Sequence, residues 1–184
     1  SGAEAPSSVR ERVAREQAGL EHIRYQPCVI AILESSRRLF PYYWTNITDG
    51  EMPFSVVVAQ AELVGSAVYG GKHLYYFGSY CNMDAPLFQA DHDRARTILM
   101  PHLQRLNPDI TDADIEDIHL FRNRYATPVF TIDFGRLMPS IQSSLPGLYH
   151  CSNAQIYPFS RNLDSTLRVV QETAEAVRAK VGDK

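Results

Sequence analysis

Residues 146–166 hold the densest run of side chains suited to ligand binding. A Pro146-Gly147 turn leads into an apolar stretch, Leu148-Tyr-His-Cys151, whose pattern reads as a short strand. A polar loop from Ser152 to Ser160 follows. A helix then begins at Asn162, Asp164 or Ser165 and runs to the C-terminus. Strand, polar loop and helix N-terminus in this order can hold a phosphate-bearing ligand. The first helical N–H groups lack internal partners, and the helix dipole favours an anion there. The plainer alternative is an ordinary connection capped by Asp or Ser.

Other side chains offer recognition chemistry. Arg122 and Arg124, beside Tyr125, close a strand just before Pro128. A guanidinium there could grip a carboxylate or phosphate through two hydrogen bonds, or it could simply be solvated or salt-bridged. Tyr42, Tyr43 and Trp44, with Tyr75 and Tyr76, could stack on a flat ligand or pack a sheet, since aromatics are enriched in strands.

Hydrolytic and nucleotide-binding motifs are absent. The 184 residues contain no GxSxG, HExxH, P-loop or GxGxxG, so spacing assigns no catalytic residue. The six histidines are scattered, and Cys28, Cys81 and Cys151 lack metal-ligand spacing, so no metal site is expected. The cysteines sit in apolar contexts and read as buried thiols of a reducing, cytoplasmic compartment. A net charge of −3 gives no reason to expect nucleic acid or an anionic membrane surface. No apolar run approaches a membrane span, and no signal peptide is expected.

The elements that must position these residues follow from periodicity. Ser7 or Ser8 can cap a first helix over 9–21. Residues 22–33 form a strand whose near-continuous apolar run suits a central position covered on both faces. Further strands are expected at 39–47, 54–59, 73–81 and 115–125, the last extending past Pro128 to 132. A helix over 91–106 presents Ala95, Ile98, Leu99 and Leu103 on one face. The last helix has Leu167, Val170, Ala174, Val177 and Val181 as its inward stripe. Strands cluster without alternating with helices. That predicts an α+β fold: a mixed, largely antiparallel sheet of about five or six strands, flanking helices and a long C-terminal helix.

Several segments together resemble one family. They are Ile23-Arg-Tyr25 with its apolar strand, Pro41-Tyr-Tyr-Trp-Thr-Asn46, His73-Leu-Tyr-Tyr76, Phe121-Arg-Asn-Arg-Tyr-Ala-Thr-Pro128 and Gly147-Leu-Tyr-His-Cys-Ser-Asn-Ala-Gln-Ile-Tyr-Pro158. Their order and spacing are similar to the C-terminal half of FAD-dependent amine-oxidase-like oxidoreductases. That group includes protoporphyrinogen-oxidase-like proteins and relatives of UDP-galactopyranose mutase. The resemblance implies that residues 9–145 form a substrate domain. Residues 146–184 would be a closing strand, loop and helix that complete a flavin domain, and residues 1–8 a disordered or cloning-derived end. It places Ser152, Asn153, Asn162, Leu163, Asp164, Ser165 and Thr166 against FAD. It places Arg124, Tyr125, Tyr157 and Trp44 against a small-molecule substrate. The dinucleotide grip would come from a separate GxGxxG part, so an FAD-binding partner chain or a homo-oligomer is expected. The alternative is a binding module derived from this family, using its aromatic sheet face without flavin chemistry. Where the family carries Gly before the last helix, this sequence has Asn162-Leu163-Asp164, and a carboxylate there would repel a pyrophosphate.

Overall fold

The computed structural model describes residues 7–182. Contacts divide the chain into two compact units. One is Gln26–Ala126. The other joins the chain up to Tyr25 with everything from Thr127 onward.

The Gln26–Ala126 unit is built on one five-stranded sheet, in the order β2-β3-β4-β1-β5. Its strands are β1 (Tyr25–Ser35), β2 (Trp44–Asn46), β3 (Val56–Ala59), β4 (His73–Tyr80) and β5 (Asp117–Pro128). All neighbours run antiparallel, with Ile32 opposite Tyr76 and Val58 opposite both Tyr76 and Trp44. Side chains alternate between the two faces of a strand. Val29, Ala31 and Leu33 of β1, Val57 and Ala59 of β3, and Tyr75 and Phe77 of β4 therefore share one face, and all are buried. Against that face pack Ala95, Leu99 and Leu103, the inward stripe of α4 (His92–Leu106), together with Leu87 of the short α3 (Pro86–Gln89). Asp91 caps α4 by accepting the Arg94 N–H at 2.9 Å. A short α2 (Ala61–Val64) follows β3.

The α+β class, the antiparallel sheet and the long last helix agree with expectation. Three details differ. The interior strand β1 is covered on one face only: Ile30 is 37% exposed while its neighbours Val29 and Ala31 are fully buried. The aromatic strand expected over 39–47 shrinks to three residues, because Leu39 and Phe40 turn into the core ahead of the turn at Pro41. Tyr42, Tyr43 and Trp44 are exposed rather than packed against the sheet's core face.

The second unit contains α1 (Ser7–Glu21) and α5 (Leu163–Gly182). Ser7 and Ser8 belong to α1, while residues 1–6 of the expected disordered end lie outside the described residues. A small apolar cluster of Ile23, Phe134 and Ala154 anchors the unit. The Phe130, Phe134 and Tyr157 rings join it, with centroids 4.8 to 5.5 Å apart. The expected inward stripe of α5 is out of phase. Ser165 and Val169 are buried, whereas Leu167, Val170 and Val181 are exposed. The partly buried Ala174 and Val177 sit on the same side as Thr173 and Ala176.

Candidate functional site

The loop of residues 141–160 is fixed from both sides. At Pro146-Gly147 the Leu148 N–H reaches the Leu145 carbonyl at 3.2 Å, and Gly147 takes φ +84°. That is a turn with proline at its second and glycine at its third position, which a Cβ would disfavour. The strand expected over 148–151 is reduced to one antiparallel bridge, Gln142 with Tyr149, because nothing beyond residues 141–143 pairs with it. Cys151, outside any strand, is exposed, and the other two cysteines, Cys28 and Cys81, are partly rather than fully buried.

Glu16 of α1 reaches into this loop. Its carboxylate accepts the Ser144 N–H at 2.6 Å and meets His150 Nε2 at 2.5 Å. Burial pushes the Glu16 carboxyl upward, but the hydrogen bonds from His150, Ser144 and Ser143 outweigh it and hold it at about 2. On the other side, Gln155 accepts the Ser152 N–H at 2.8 Å and donates to the His150 carbonyl at 3.1 Å. This reciprocal capping fixes the single helical turn Asn153–Ile156.

The loop and α5 enclose a cleft of about 240 Å³ lined by Ser152, Asn153, Ile156, Thr166, Val169 and Val170, with Cys151 at its edge. Three residues expected at a cofactor, Ser152, Asn153 and Thr166, therefore meet in one place. The other four do not line it. Asn162 is the helix cap: its Oδ1 accepts the Ser165 N–H at 2.8 Å, and its carbonyl takes the Thr166 hydroxyl at 2.8 Å. Ser165 is buried, Leu163 is 74% exposed, and Asp164 places a carboxylate in the first turn.

The residues expected at a substrate are spread more widely. Trp44 lies opposite Val58, so its ring belongs to the sheet face turned away from α4. That face carries Ile30, Val56, Val58, Tyr76 and Tyr80, which with Trp44 line a shallow apolar depression of about 270 Å³. Gly78 also lines it. Phe121 and Tyr125, both more than half exposed, share this face by strand parity with the exposed His119. Arg124 has the parity of Ile118 and Leu120, which pack on the covered side. So has Arg122, whose guanidinium donates to the Phe88 and Ala90 carbonyls. Tyr157 belongs to the aromatic cluster of the other unit.

One margin of the open face is charged. Lys72 contacts Glu34 at 2.6 Å and Glu116 at 3.0 Å, and His119 meets Glu34 at 2.9 Å. The Glu34 and Glu116 carboxylates push Lys72 up to about 12, and Lys72 with His119 holds Glu34 below its usual range. Among the described residues no His, Cys, Asp or Glu cluster could hold a metal, and no helix is long and apolar enough to cross a membrane. The open aromatic face is the feature least legible in the sequence, since its members come from five strands. Trp44 and Tyr76, aromatic residues that could stack on a flat ligand, were its signal in the sequence.

The fold of this chain also occurs in solved structures. This fold recurs in oxidoreductases. A candidate protoporphyrinogen oxidase from Exiguobacterium sp. 255-15 superposes with a TM-score of 0.63 at 11% identity, covering 85% of this chain and 36% of its own. An oxidoreductase from Methanosarcina mazei gives a TM-score of 0.65 at 12% identity, covering 90% of this chain and 38% of its own. The chain thus spans little more than a third of either protein, and identities this low establish a likeness of fold. No family model and no curated protein matches the sequence.

The residues of this chain do not by themselves fit FAD. The α5 N-terminus already has its Asn162 cap and carries the Asp164 carboxylate where a phosphate would need to approach. The cleft behind it admits at most one edge of a large cofactor.

Proposed function

We propose that this chain is the substrate-holding portion of an amine-oxidase-like, FAD-dependent oxidoreductase. The open face of its sheet would be the wall against which an apolar or aromatic substrate lies. The likeness of fold to two oxidoreductases over 85% and 90% of the chain supports this reading. The observation that carries it is the uncovered aromatic face of Trp44, Tyr76, Tyr80, Phe121 and Tyr125. Exposed apolar patches of this kind mark binding surfaces. The dinucleotide grip belongs to a GxGxxG unit that these 184 residues do not contain. Ser152, Asn153 and Thr166 would meet only the edge of the cofactor. Leu163, Leu167 and Val170, exposed along α5, would pack against the FAD-binding part. The mutase branch is the less favoured member of the same group.

The test is reconstitution with a GxGxxG flavin domain. The complex should hold flavin and show its visible absorbance, while the chain alone remains colourless. Tyr125→Ala and Trp44→Ala should raise KM without releasing the flavin. A complex that retains no cofactor would rule the reading out. The second reading, a flavin-free binding module, is favoured by Asp164 and by the capped α5 terminus. It would require the open face to bind its ligand with no partner present.

A further inference from the structure

A second cleft, of about 380 Å³, lies between α1 and the segment 136–144, wholly within the second unit. On α1 it is bordered by Arg12, Arg15, Glu16 and Gly19, which share one helix face at spacings of three and four residues. Arg136 closes it from the opposite side, and Leu137 to Pro139 supply an apolar border. The cleft continues past Arg12 and Gln142 to Lys180 near the end of α5.

The charge balance is one-sided. Glu16 is the one carboxylate lining the cleft, and its oxygens are already engaged by Ser144 and His150. Among the described residues, Arg12, Arg15 and Arg136 form no ion pair. This contrasts with Arg37, Arg38, Arg96 and Arg105, each of which is matched to a carboxylate. Three arginines against the single Glu16 carboxylate leave the cleft with a net positive balance, which favours an anion. Planar guanidinium forks match carboxylate or phosphoryl oxygens through paired hydrogen bonds. Three forks exceed what the two oxygens of one carboxylate can accept, whereas a phosphoryl group offers three oxygens and close to two charges. The apolar border would take an uncharged body attached to that head.

We propose that this cleft binds a small organic phosphate, at a site separate from the open sheet face. Inorganic pyrophosphate is the probe, titrated calorimetrically at fixed ionic strength with potassium chloride as the blank. Saturable binding is expected. Arg136→Gln and Arg12→Gln should each weaken it roughly tenfold, the effect of losing one charge-assisted pair. Gly19→Leu keeps all three arginines. A Cβ at Gly19 meets nothing within 4 Å, so the side chain fits on the helix and fills the cleft. It should abolish binding while circular dichroism stays unchanged. Arg94→Gln, an exposed arginine of the other unit, should bind as the parent does. Absence of saturable binding, unaltered binding in Gly19→Leu, or equal loss in Arg94→Gln would overturn the assignment.

Discussion

A methyl group at Gly78 would lie 2.7 Å from Val56 Cγ1, the residue directly opposite on β3. Val56 is β-branched and cannot swing aside, so Gly78→Ala should cost about 1–3 kcal/mol in urea unfolding. Adding Val56→Ala should recover most of that loss, because the two sites share one contact. Glu16 is the other residue with a sharp consequence. Its folded pKa of about 2 lies below the reference of 4.5. Its stabilisation is therefore complete above pH 4.5 and fades as pH falls toward 2. After solvent screening this amounts to about 1–2 kcal/mol. Thermal melts should show that decline in the parent and lose it in Glu16→Gln. Neither effect was legible in sequence, since Glu16 and His150 are 134 positions apart and meet only in the fold.

At the scale of elements, α4 was legible because its four apolar positions have one face to fill, and a regular 3.6-residue period announces that. The same rule misplaced α5, where Leu167 and Val170 face outward and Ser165 and Val169 inward. Small residues let the helix sit close to the loop turn at Asn153–Ile156, so bulk and burial part company there. The α5 cap is testable: Asn162→Ala removes the acceptor of the Ser165 N–H and should cost about 1 kcal/mol. Pro101 sits inside α4, exposed, and deprives the ladder of one N–H. Pro101→Ala should stabilise the protein by up to about 3 kcal/mol, read as a raised midpoint in urea.

For the whole molecule, fold class followed from the clustering of strands, a property of chain order that sequence carries directly. The open aromatic face did not. Trp44 stands on the edge strand β2 and Tyr125 on the opposite edge strand β5, and only the sheet register brings them to one face. One-sided coverage of β1 is what leaves that face open, and a run of apolar residues cannot tell one covered face from two. The central claim is that this open sheet belongs to a flavoenzyme. Native mass spectrometry of the protein isolated from its own source tests it most directly, because intact assemblies report partner chains and bound cofactor together. The account predicts an assembly containing this chain, a GxGxxG-bearing segment and non-covalently held FAD. A flavin-free species with no dinucleotide-binding segment would contradict it.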